Sequence, residues 1–239
     1  FLISRQTEAL MKAAINKRRV DSLSGTRLLN EIVLILKESH PLKCILRMKE
    51  LGLLQFVSPQ KIDVQALEKI SDVLSWAEFI SLPEKPEIWY VYFLSLLYSL
   101  DEESFAQIAD RLQFQARLKK SLIRDRAICK ESLVLLENDK DWSPETIYNQ
   151  FSDFSVEAVI YFLAVASTER ANQYANTYFT QYHKQAELSL TGDDLVEMGI
   201  KPGPVFQSVF KALREAHLKG AIETREEEVA WVRKQFLEQ

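Results

Sequence analysis

Apolar residues recur every three or four positions along most of the chain, the spacing of one face of an α-helix. Leu10, Met11, Ala14 and Ile15 share a side over about 4–19. Leu28, Leu29, Ile32, Val33 and Leu36 form a stripe over about 24–38. Pro41 opens a third helix, which Gly52 closes. Further helices are predicted over about 61–80, 86–100, 101–112 and 115–137, with Pro83 and Pro86 breaking the chain between the first two of these. The polar run from Asn138 to Pro144 marks an internal boundary, and Pro144 suits the first position of the next helix. Helices then run to about 185. The tail holds a short helix at Asp193, one over about 204–219 and one from 223 onward. Five of the six glycines sit at or beside predicted helix ends or turns, and strand patterns are scarce. The fold class predicted is all-α, a multi-helix array in three segments, 1–58, 59–140 and 141–239.

The run Leu190-Thr191-Gly192-Asp193-Asp194-Leu195-Val196-Glu197-Met198-Gly199-Ile200-Lys201-Pro202-Gly203-Pro204 is dense in helix punctuation. Thr191 can cap a short helix, with Asp193 and Asp194 in its first turn, where the helix dipole favours carboxylates. Gly199 can end it in a left-handed conformation. Pro204 suits the start of the next helix. Lys201 and the free amides of that helix end then meet at one spot, which suits a phosphate. A plain helix–helix turn reads the same way, and both readings stay open.

That run resembles the tail of bacterial tRNA nucleotidyltransferases of the poly(A) polymerase type, the CCA-adding and A-adding enzymes. Their chains commonly carry Gly-Asp-Asp-Leu, Gly-x-x-Pro-Gly-Pro and a closing Gly-x-x-x-Thr-x-x-Glu-Glu. Here the closing part is Gly220-Ala221-Ile222-Glu223-Thr224-Arg225-Glu226-Glu227-Glu228. A second match, Ser24-Gly25-Thr26-Arg27-Leu28-Leu29-Asn30-Glu31 followed by Leu51-Gly52-Leu53-Leu54, resembles the family's neck motif, with Ile32 where leucine is usual. The resemblance covers nearly all 239 residues. It implies neck, body and tail without the N-terminal catalytic head, with Phe1-Leu2-Ile3 resembling the exit from that head. The family's chemistry needs a Gly-Ser turn and paired carboxylates that hold magnesium. This chain has no Gly-Ser pair, and its one Asp-x-Asp, Asp139-Lys140-Asp141, falls in the polar run before Pro144 and not in a strand pattern. No catalytic residue and no metal ligand is therefore expected here, and the chain alone is expected to be inactive. ATP or CTP and Mg2+ are implied for the parent enzyme only. The implied partners are tRNA and the head.

Composition changes this picture little. With 47% hydrophobic and 27% charged residues the chain reads as globular. The apolar run 88–100 falls short of the roughly 20 residues that span a bilayer, and no signal-peptide pattern is read before the first helix. Cys44 and Cys129 are isolated, so neither a disulfide framework nor a zinc site is expected, and the compartment reads as reducing cytoplasm. The net charge of -4 counts mildly against a nucleic-acid role. The acids, however, gather at helix starts: Asp101-Glu102-Glu103, Asp193-Asp194 and Glu226-Glu227-Glu228.

Within 115–130 lie Arg117, Lys119, Lys120, Arg124, Arg126 and Lys130 against one acid, Asp125. At 100° per residue, Arg117, Lys120 and Arg124 fall on one flank of the apolar face, and Lys119, Arg126 and Lys130 on the other. Such stripes suit a phosphate backbone. They also suit a solvated face with local ion pairs. On the helix after Pro204, Phe206, Val209, Phe210, Leu213 and His217 face one way. Lys211, Arg214, Glu215 and Lys219 face the other, so Lys211 and Arg214 can extend a surface begun by Lys201 and Gly203. The resemblance implies that this surface meets the far, elbow end of tRNA. Arg27 and Glu31, four apart, share a face and could pair; the resemblance implies that they brace a nucleotide pocket shared with the head. His40, His183 and His217 form no catalytic pattern, and Trp76, Trp89, Trp142 and Trp231 read as core or part-core. Two functions are weighed: a tRNA-binding region that positions the 3′ end for nucleotide addition, and an α-helical protein-interaction or oligomerisation module without RNA binding.

Overall fold

A computed structural model describes residues 3–58, 62–79, 82, 84–136 and 141–238. Phe1, Leu2, Pro83 and Asn138 to Lys140, which the sequence reading used, lie outside the described residues, as do 61, 80 and 137 at expected helix ends. The described chain is helical, with no strand among the described residues. Contacts divide it into two compact units. Unit 1 is Phe1–Leu135 with Phe154–Ser167, and unit 2 is Leu136–Asp153 with Thr168–Gln239.

Unit 1 contains α1 (Arg5–Asn16), α2 (Gly25–Leu36), α3 (Pro41–Leu51), α4 (Val64–Ala77), α5 (Ile88–Tyr98), α6 (Glu102–Arg111), all of α7 (Ala116–Leu136) but its last residue, and α9 (Val156–Val165). Most starts are set by one device: Ser4, Ser24, Asp63, Asp101 and Ser155 each accept a hydrogen bond from the amide three residues on. The core lies around α5 and α9, which are buried on every side and pack on each other and on α4. The apolar run 88–100 is therefore a core helix. No described helix is long and apolar enough to cross a membrane.

A tight corner joins α2 to the end of α6. A Cβ on Gly25 would lie 2.1 Å from the Arg111 carbonyl oxygen. The Arg111 guanidinium donates to the carbonyls of Val20 (3.3 Å) and Leu23 (3.2 Å). Gln113 accepts from the Thr26 amide and, at 2.6 Å, from its hydroxyl. The Ser24-Gly25-Thr26 motif is thus where the start of α2 docks on α6.

Unit 2 contains α8 (Pro144–Phe151), α10 (Glu169–Thr177), α11 (His183–Gln185), α12 (Gly192–Glu197), α13 (Pro204–Leu218) and α14 (Arg225–Val232). Of the helices expected up to about 185, α9 ends before Ala166 to Thr168, where extended backbone and the Thr168 cap start α10 afresh. α10 and α11 are joined by a π-helical turn, Tyr178–Tyr182. Leu190, Leu195, Ile200, Val209, Leu213, Ile222 and Val232 form one buried cluster. Two capping boxes frame it, Thr191 with Asp194 and Thr224 with Glu227. Arg225 ties them together: it donates to the Ser189 carbonyl at 2.6 Å and pairs with Asp194.

Candidate nucleic-acid interface

The basic helix α7 divides its cations by environment. Arg117 and Lys120 are exposed and have no ion-pair partner among the described residues. Lys119 reaches Asp110 at 3.4 Å. Arg124 is held by Asp125 at 2.9 Å; that carboxylate is itself buried and accepts from the hydroxyls of Tyr90 (2.9 Å) and Ser155 (3.0 Å). Lys130 is exposed, its ammonium 5.6 Å above the Tyr98 ring. Arg126 departs from the expected surface stripe. Its side chain is 2% exposed, donates to the Leu100 carbonyl and lies 4.3 Å from the Phe105 ring. α6 and the turn before it cover α7 at this position, between the exposed Lys130 and the half-buried Lys119, so Arg126 is a core residue here. The open stripe of α7 is Arg117, Lys120 and the outer edge of Arg124.

In unit 2 the tail turn has the expected form. Gly199 closes α12 at φ 93° and Pro204 opens α13. Gly203 sits at φ 157° and ψ -164°, a region left almost entirely to glycine. No side chain caps α13, and Lys201 is exposed beside its start. Along α13, Lys211 is exposed, Arg214 is half-buried, and neither has an ion-pair partner among the described residues. Lys219 pairs with Glu145 at 2.8 Å. His217 is buried and shares a 2.8 Å hydrogen bond with the Glu228 carboxylate, so its role is packing.

Arg27 and Glu31 share an exposed face of α2, but they form no ion pair among the described residues. Their spacing alone does not overcome the entropy of holding two solvated side chains together. Cys44 and Cys129 are both free. Asp194 is consumed by its capping box and Arg225. No group of three or more His, Cys, Asp or Glu among the described residues could hold a metal ion. Sequence reasoning missed Arg225 and Glu228 as organisers of the tail, although both stand inside the closing motif.

The ion pairs of unit 2 give a pH dependence. The Thr191 hydroxyl and amide, then Arg225, hold the Asp194 carboxyl down to about 2. Lys219, then Ser143, hold Glu145 down to about 2. Both lie below the unfolded values, so the ionised forms favour folding above about pH 4.5, and that stabilisation is lost as pH falls towards 2. The melting temperature of unit 2, followed by Trp142 and Trp231 fluorescence, should hold between about pH 7 and 5 and fall below about 4.5. Combining Asp194→Asn with Glu145→Gln should flatten that fall; an unchanged acid profile in the double variant would show that these pairs do not set it.

Residues 81–232 match the family model for tRNA nucleotidyltransferase domain 2. Residues 1–62 match the one described as "Probable RNA and SrmB- binding site of polymerase A". The chain is 35% identical over 237 residues to an A-adding tRNA nucleotidyltransferase of Geobacter sulfurreducens, covering 96% of this chain and 27% of that protein. It is 23% identical over 224 residues to an A-adding tRNA nucleotidyltransferase of Halalkalibacterium halodurans, covering 90% and 47%. Among solved structures, a CCA-adding enzyme in its apo form I gives a TM-score of 0.74 at 22% identity, over 100% of this chain and 56% of that one. A Thermotoga maritima CCA-adding enzyme in complex with tRNA gives 0.73 at 22% identity, over 98% and 57%. At those identities the structural likeness speaks for the fold. The chain spans between about a quarter and about half the length of the curated relatives it matches.

Proposed function

The chain belongs to the tRNA nucleotidyltransferase family, and we propose that it is the tRNA-binding helical region of a CCA-adding or A-adding enzyme. Segments 1–58, 59–140 and 141–239 act as neck, body and tail. They position the tRNA 3′ end for nucleotide addition by a catalytic head on the same polypeptide. That head is assigned the ATP or CTP and the magnesium, with paired carboxylates holding the metal. The compartment proposed is the cytoplasm, where tRNA is processed. Arg27 and Glu31, exposed at the start of α2, are proposed to meet the nucleotide pocket from the neck side.

The observation that carries this reading is the pair of unneutralised basic surfaces in a chain of net charge -4: Arg117 and Lys120 on α7, and Lys201, Lys211 and Arg214 around the tail turn. Phosphates would meet these groups without reading base edges, as suits recognition of RNA by shape.

The test is tRNA affinity at several salt concentrations. Wild type should lose affinity steeply with salt. Reversing Arg117 and Lys120 to glutamate should weaken binding at least about tenfold and lower the salt slope by about two, one for each lost phosphate. Lys201→Ala should lower it by about one. Arg124 is left out of the reversal, because a glutamate there would face the buried Asp125. Binding that is absent, or flat in salt, would favour the helical protein-interaction or oligomerisation module instead.

A further inference from the structure

One wall of unit 2 carries aromatic and cationic side chains that pack at the edge of the core and stay part-exposed. α8, the α10–α11 segment and α13 border two recesses of about 280 and 380 Å3, and Tyr148 and Arg214 line both. Asn149, Ser152 and Lys211 make the first recess polar. His183, Leu188 and Phe210 bring aromatic and apolar surface to the second, which Glu187 and Arg214 also line. Tyr148 and His183 are each half-buried, and both rest on the buried ring of Tyr178, with centroids 5.9 Å away. Neither the Tyr148 hydroxyl nor the Arg214 guanidinium has a hydrogen-bond partner among the described residues.

The backbone is specialised at this wall. Tyr178 and His183 stand five residues apart, which in an α-helix would splay them by about 140°. The π-turn brings them into contact instead, closed by the His183 amide donating to the Tyr178 carbonyl. Such turns are uncommon and gather at functional sites.

We propose that this wall binds one unstacked nucleotide of looped or single-stranded RNA. Its base lies against Tyr148, His183 and Phe210, and its phosphate on Arg214 and Lys211. The proposal rests on the RNA-binding reading and names the chemical unit bound. Bases that leave a stack are held on aromatic faces and cationic planes. The charge sets the ligand class. Across the wall Lys211, Arg214 and Lys219 face Glu145, Glu215 and Glu187, with Lys219 held by Glu145, so the charges balance and only Lys211 and Arg214 are left as cations without an ion-pair partner among the described residues. That suits one phosphodiester and is too little for a free nucleoside triphosphate.

Two labelled abasic ribose-phosphate oligomers of equal length, one carrying a single central adenine, test the proposal by fluorescence anisotropy at low salt. Wild type should bind the adenine oligomer about tenfold tighter, the worth of one stacked base. Tyr148→Leu should abolish that difference, Tyr148→Phe should keep it, and Arg214→Gln should weaken both oligomers alike. Circular dichroism confirms that each variant is folded. Equal affinity of wild type for the two oligomers, or a difference that survives Tyr148→Leu, overturns the subsite. Transfer RNA titrated alongside separates the two levels: bound tRNA with equal oligomers removes only the subsite, and no tRNA binding removes both.

Discussion

Replacing Gly25 with alanine is expected to lower the melting temperature of unit 1 by roughly 10 °C. The added methyl would sit 2.1 Å from the Arg111 carbonyl oxygen, and no real contact of that kind survives at such a distance. The obstacle is backbone at the end of α6, so a rotamer change cannot relieve it. α2 must back away, and the bonds of Thr26 to Gln113 and of Arg111 to Val20 and Leu23 lengthen together. Overpacking of this kind costs about 3 kcal/mol or more, and a chain of this size shifts by about 2–4 °C per kcal/mol. Gly192→Ala is the control. Its Cβ would meet only the ring edge of Phe206 at 3.4 Å, and that side chain can turn aside. Thermal melts of the two variants should differ by several degrees. Equal melts would mean that the corner yields and that glycine is not needed there for packing.

What could be read from the sequence was local. Thr191 caps its helix because the bond to the amide three residues on needs nothing from the rest of the chain. Pro204 and Gly199 work the same way. The basic residues of α7 were readable as a set, but not their fates. On a helical wheel Arg126 flanks the apolar face beside Lys130. Only the arrival of α6 and the Leu100 carbonyl decides that Arg126 is core. Arg124 and Asp125 are adjacent, and neighbours on a helix do not face each other. Their pairing depends on Asp125 being fixed by Tyr90 and Ser155, 35 and 30 residues away. The π-turn left no pattern to read, because a single wide turn has the same composition as the helix around it. Tyr148 and His183 therefore looked unrelated until Tyr178 joined them.

Glu228→Ala should do the greatest harm in unit 2. The Glu228 carboxylate is wholly buried in the last helix and has no solvent to fall back on. It accepts from the Ser189 amide at 2.9 Å, the Leu190 amide at 2.8 Å and the His217 ring at 2.8 Å. Alanine would strand two backbone donors and an imidazole in the core and leave a void beside Leu190. Losing one partner of such a buried arrangement costs about 3–5 kcal/mol. Glu228→Gln keeps the volume and one acceptor oxygen, and should cost about 1–3 kcal/mol for the donor left unmatched. The damage should travel. Leu190 leads directly into the Thr191 cap, α12 and the Lys201–Pro204 turn, so that turn should lose its fixed geometry first. tRNA binding by Glu228→Ala should then fall at temperatures where unit 1 is still folded, although Glu228 itself is buried away from any ligand. Melting followed at Trp231, together with tRNA titration of both variants, checks the order. If Glu228→Ala melts like wild type, the buried carboxylate is not what holds the tail. If it melts early yet binds tRNA unchanged, the Lys201 turn does not contribute to the interface.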